Sequence, residues 1–153
     1  MAVVREDGKW RCAPMRKSAL NSLSAAETEL REIRSAGAVF GLLDVDDEFF
    51  VIVRPAPAGT RLLLSDATAA LDYDIAAEAL EKLDADIEAD DLDDADPFEE
   101  GDLGLLSDLG LPDAVLSVIL DETDLYADEQ IGRIAREMGF AEELSAVLDR
   151  LNR

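Results

Sequence analysis

Ala38-Val39-Phe40-Gly41-Leu42-Leu43-Asp44-Val45-Asp46-Asp47-Glu48-Phe49-Phe50-Val51-Ile52-Val53-Arg54 is the stretch on which the fold class turns. It holds two β-rich runs, 38–44 and 48–54, dominated by β-branched, aromatic and other apolar residues. They meet around Asp46-Asp47, whose short polar side chains suit a tight turn. Successive strand residues face opposite ways, so Phe49 and Phe50 are expected on opposite faces of a sheet. One then belongs to the core and the other is expected to be exposed, as part of a contact patch.

Reading outward from this hairpin towards the N-terminus, Ala2–Glu6 and Lys9–Ala13 flank Asp7-Gly8, a favoured two-residue hairpin turn. Ser24-Ala25-Ala26-Glu27 matches a capping box at the start of a helix, expected to run to Ala36 with Gly37 as a left-handed stop. Leu23, Ala26, Leu30 and Ile33 form its core-facing stripe. In the other direction Pro55-Ala56-Pro57-Ala58-Gly59 breaks the pattern before a short strand, Thr60–Leu64. Ser65 is expected to cap a brief helix from Asp66, and a further helix covers Ile75–Leu83. The order ββαβββα predicts an α+β fold, one largely antiparallel sheet with helices on one face.

Charge divides the chain. The 14 basic and 36 acidic residues give a net −22. Residues 1–83 carry net −4, residues 84–102 net −11 with no basic side chain, and residues 103–153 net −7. The middle stretch therefore reads as a self-repelling acidic linker between an α+β domain, 1–83, and a short-helix module, 103–153. In that small all-α module, apolar positions mark four short helices. These are Leu103/Leu106/Leu109 before Gly110, Val115/Leu116/Ile119/Leu120 after Pro112, Ile131/Ile134/Ala135/Met138 before Gly139, and Leu144/Val147/Leu148/Leu151. Each is too short to persist alone, so they must pack on one another or on something else.

The residue inventory narrows the chemistry. Histidine is absent, which removes the commonest general base and metal ligand. The single cysteine, Cys12, rules out an internal disulfide and a multi-cysteine zinc site. No phosphate-cradling glycine loop is present. Twelve-residue windows from Asp84 and Asp91 lack the glycine and glutamate that a calcium loop needs. Asp44, Asp46, Asp47 and Glu48 can be read as a hydrolytic carboxylate pair, but acidic residues at a hairpin turn are commonly turn formers. Arg54, Arg61, Ser65 and Asp66 gather near the ends of two strands and can line a small pocket, with surface salt pairing as the simpler reading. No catalytic residue, cofactor or metal is expected.

So acidic a chain repels phosphate and anionic membrane surfaces, so neither direct nucleic-acid nor membrane contact is expected. It favours a basic protein partner, with Asp90, Asp91, Asp93, Asp94 and Asp96 of the linker and Phe49 or Phe50 as contact residues. No signal peptide and no apolar run of about 18 residues is found, so a cytoplasmic location is expected. Oligomeric state is left open.

The strand–turn–strand Gly41–Arg54, then Leu63-Leu64-Ser65-Asp66-Ala67, the Asp/Glu-rich linker, Asp108-Leu109-Gly110-Leu111 and Glu137-Met138-Gly139-Phe140-Ala141-Glu142-Glu143-Leu144 occur in that order. This resembles the bacterial tRNA adenosine deaminase-associated protein family of high-GC Gram-positive lineages. The resemblance implies an accessory protein beside a deaminase, whose zinc chemistry belongs to the partner. Three other readings compete with it: a nucleic-acid-mimicking inhibitor, an interaction protein unrelated to tRNA modification, and a small hydrolase using Asp44 or Asp46.

Overall fold

The computed structural model of the chain describes residues 1–33, 37–57, 59–83, 92–93 and 95–151. Among these residues six strands form one antiparallel sheet in the order β2-β1-β3-β4-β5-β6. They are β1 (Ala2–Glu6), β2 (Lys9–Ala13), β3 (Ala38–Val45), β4 (Phe49–Ala56), β5 (Gly59–Leu64) and β6 (Glu100–Gly101). Among the described residues the α-helices are α1 (Leu23–Glu32), α2 (Asp74–Lys82), α3 (Asp113–Asp121), α4 (Ala127–Met138) and α5 (Ala141–Leu151). The α+β class and the ββαβββα order of the first 83 residues are as expected.

Alternation along the strands sorts side chains into two cores. Leu43, Val45, Phe49, Val51, Val53, Leu62 and Leu64 face α1 and α2, where Leu23, Ala26, Leu30, Ile75, Ala76, Ala79 and Leu80 meet them. Phe40, Leu42, Phe50, Ile52 and Leu63 face the other way, against Leu105, Leu116, Ile134, Phe140 and Val147 of the C-terminal segment. The short helices thus solve their stability problem by packing on the second face of the sheet. An exposed phenylalanine is not found: Phe49 and Phe50 are 1% and 0% exposed, because the sheet is covered on both sides. The contact-patch role expected of them is corrected accordingly; both are core residues.

Several local details also differ from expectation. The N-cap of α1 is Ser22, not Ser24; its side chain accepts a hydrogen bond from the Ala25 N–H. Starting there puts Leu23 in the first turn, fully buried in the core. The helix leaves helical geometry at Ile33 (ψ 118°), which turns to pack against the same core. Residues 34–36, where the helix was expected to end, lie outside the described residues. The left-handed stop expected at Gly37 directly follows those residues. Its glycine is needed because a Cβ there would sit 1.8 Å from the Arg5 carbonyl oxygen. Asp66, rather than Ser65, caps the 3₁₀ turn Ala67–Leu71 by accepting from the Thr68 N–H.

Of the stretch 84–102, residues 84–91 and 94 lie outside the described residues. The remainder is tied to the fold. Leu92 is buried, Phe98 packs against the first core and accepts from the Ala67 N–H, and Glu100–Gly101 extend the sheet as β6. Gly101 takes φ 127° and lies so close to Leu62 that a Cβ would meet its carbonyl oxygen at 2.4 Å. That position requires glycine.

Aromatic stacking joins the C-terminal layer to the sheet. The Phe140 ring lies 5.0 Å from Trp10 and 6.1 Å from Phe40, edge-on to the latter. Phe140→Ala is expected to destabilise the whole chain by about 3–5 kcal/mol in urea denaturation. It should also red-shift the emission of Trp10, the chain's single tryptophan. An unchanged midpoint and emission would mean that this stack does not hold the layer.

Candidate functional site: an acidic turn beside an apolar groove

Asp46 and Asp47 occupy the two central positions of the β3–β4 turn with φ 54° and 57°, and the Glu48 N–H closes it onto the Val45 carbonyl at 3.0 Å. Two left-handed residues match the right-handed twist of the strands, and short aspartates tolerate that backbone. The turn is clamped from both layers. On one side the Tyr73 hydroxyl donates to Asp46 at 3.0 Å, with its ring 5.1 Å from Phe49. On the other, the Ala127 N–H at the start of α4 donates to the Asp47 carbonyl at 3.1 Å. Asp124, Tyr126 and Asp128 therefore stand beside the acidic turn.

Asp44 accepts the Asp47 N–H at 3.0 Å. Burial is the main cause that pushes its carboxyl up to about 7, and hydrogen bonding and charge from the Asp47 carboxylate add to this. Asp44 and Asp128 also line a groove of about 340 Å³. Its lining is otherwise mainly apolar and includes Met15, Ala19 and Leu20 together with Leu144, Leu148 and Leu151 of α5. Leu20, Leu148 and Leu151 remain 37%, 43% and 56% exposed. Among the described residues no group of three or more His, Cys, Asp or Glu is arranged to hold a metal ion.

Arg54, Arg61, Ser65 and Asp66 do not converge on a pocket. Arg54 and Arg61 are cross-strand partners that reach the C-terminal segment. Arg54 makes a bidentate pair with Asp108 (2.6 and 2.9 Å) and donates to the Leu105 carbonyl at 2.7 Å. Arg61 pairs with Asp102 at 2.7 Å. The Arg54 hydrogen bond holds the Asp108 carboxyl below its ordinary range. The Ser65 hydroxyl accepts from the Phe50 N–H at 2.8 Å, and Asp66 is a helix cap. These four residues thus hold the fold together. Asp93 and Asp96 are exposed, while Asp90, Asp91 and Asp94 lie outside the described residues. Cys12 is buried, and burial pushes its thiol up to about 11, which suits a core residue and not a nucleophile.

Sequence reasoning missed Asp128, Tyr73 and the groove, since each depends on elements far apart in the chain. The one legible hint was the width of the α5 stripe. Leu144 and Val147 are buried, but Leu148 and Leu151 continue the apolar row into solvent.

The shift of Asp44 has a signed consequence. The folded chain keeps this proton up to about pH 7, whereas the unfolded chain releases it near the ordinary ~3.9. Between those values the folded state binds the extra proton, so Asp44 makes stability fall as pH rises from about 4 to about 7, and the loss persists above. Asp44→Asn keeps an acceptor for Asp47 and abolishes this slope. Its urea midpoint is expected above wild type at pH 8 and equal to it near pH 4. A variant no more stable at pH 8 would show that the fold accommodates ionised Asp44 without cost.

Comparison with known proteins agrees along most of the chain. The family described as Rv3753c-like tRNA adenosine deaminase-associated protein matches residues 1–141. Protein Rv3753c of Mycobacterium tuberculosis (strain ATCC 25618 / H37Rv) is 82% identical over 153 residues, which cover 100% of this chain and 88% of that protein. No solved structure matches. With its hairpin, its capped 3₁₀ turn and helices α1 to α4 inside the matched region, the chain belongs to the tRNA adenosine deaminase-associated protein family.

Proposed function

We propose that the chain is a non-catalytic accessory protein that binds a tRNA adenosine deaminase in the cytoplasm through a basic surface of that enzyme. The observation that carries this reading is the family's description as deaminase-associated. The charge of the chain supports it. A net −22, with half of it in residues 84–102, attracts a protein built to handle phosphate and repels the tRNA itself. An accessory protein of this kind speeds encounter and positions its partner without contributing a reacting group.

The test is a titration of purified deaminase with the full chain. Binding is expected at ~50 mM salt and should weaken about tenfold or more by ~300 mM, as screening shortens the reach of the acidic surface. Absence of binding at low salt would overturn the reading. Adding tRNA separates two modes. A scaffold keeps its affinity, whereas an acidic segment that imitates phosphate is displaced. The segment itself is best tested by changing Asp90, Asp91, Asp93, Asp94 and Asp96 together to Asn. Excision of 84–102 would also remove buried Leu92, Phe98 and strand β6.

A further inference from the structure

The open groove beside the acidic turn carries an inference that deepens the accessory reading and rests on it. Leu144, Leu148 and Leu151 follow one another at i, i+4 and i+7 along α5, so they form a single row on one helix face. Met15, Ala19 and Leu20 line the same groove. An isolated exposed leucine needs no explanation, but Leu148, Leu151 and Leu20, all partly exposed in one apolar groove, mark a contact surface. At one place the apolar lining is broken by two carboxylates, Asp44 and Asp128, and the Asp46-Asp47-Glu48 turn and Asp124 lie next to them. Arg16 and Lys17 also border the groove, but both are exposed and their long stems let the charges lie in water.

We infer that this groove receives an amphipathic helix of the basic partner protein, its apolar stripe on Leu20, Leu148 and Leu151 and a Lys or Arg against Asp44 and Asp128. Shape favours a helix: α5 is 11 residues long, roughly 16 Å, room for about three turns of a helix laid alongside it. Charge selects the occupant. A second copy of this chain would bring another −22 to a groove that already ends in carboxylates, and like charges across an interface are costly. A partner's cation instead stabilises the ionised form of Asp44, which burial disfavours. The apolar contacts supply affinity, and the carboxylates fix which way the helix lies.

The experiment measures affinity of the full chain for purified tRNA adenosine deaminase, with Leu148→Asp/Leu151→Asp as the test and Leu71→Asp as the control. Leu71 is 46% exposed in the 3₁₀ turn Ala67–Leu71 and does not line the groove. Each new aspartate strengthens any general attraction to a basic protein. A loss of about tenfold or more in the double variant alone therefore reports the apolar contact. Asp44→Asn should weaken binding severalfold. If the deaminase binds all variants equally, the groove inference is overturned while the accessory reading stands. If the deaminase binds none of them, the accessory reading fails, and a synthetic Leu/Lys amphipathic helix decides the groove. Tighter binding than a scrambled peptide of the same composition, lost in the double variant, supports it; equal binding of the two peptides overturns it. A wild-type dimer that the double variant dissociates would also overturn it, by assigning the groove to a second copy.

Discussion

Five consecutive buried residues, Phe49-Phe50-Val51-Ile52-Val53, set the condition that the rest of the molecule has to meet. In a strand their side chains alternate, so a run without a polar member has no face to give to water. Strand β4 must be covered twice. Helices α1 and α2 supply one cover, and the C-terminal helices supply the other. The short helices and the two-faced strand each leave apolar surface that only the other can bury.

The polar groups at the margins follow from that arrangement. Arg54 and Arg61 lie opposite one another on β4 and β5, and like charges in that position repel. Asp108 and Asp102 of the C-terminal segment neutralise them, with Arg54 also bonding the Leu105 carbonyl. Asp108 is well exposed, so its pair contributes modestly; the packing beneath it matters more. The same two-sided clamping fixes the β3–β4 turn between Tyr73 and Ala127, which brings Asp44 to Asp128 and sets the acidic turn beside the α5 groove.

Much of this was readable from residue order, and the remainder has identifiable causes. The strands of the first 64 residues and the turns at Asp7-Gly8 and Asp46-Asp47 follow local chemistry, so they fall within a residue or two of expectation. The stops at Gly110 and Gly139 are left-handed glycines in the expected places. Strand β6 was invisible because two residues, Glu100-Gly101, carry no strand pattern; the Leu62–Leu64 backbone recruits them. The pairs Arg54–Asp108 and Arg61–Asp102 span 54 and 41 residues, beyond any spacing rule. The groove depends on β3, α4, α5 and the Lys17–Leu20 turn together. The second cover was in fact signalled by the unbroken Phe49–Val53 run, but the usual one-sided antiparallel sheet was the stronger expectation.

Native-state amide exchange measured residue by residue tests the two-sided cover most directly. The account predicts that the β4 amides of Phe50 to Val53 and the α4 amides of Ile131 to Ala135 share one opening free energy and one denaturant dependence, because neither layer survives without the other. Exchange of α4 through a much smaller opening, with β4 still fully protected, would contradict it.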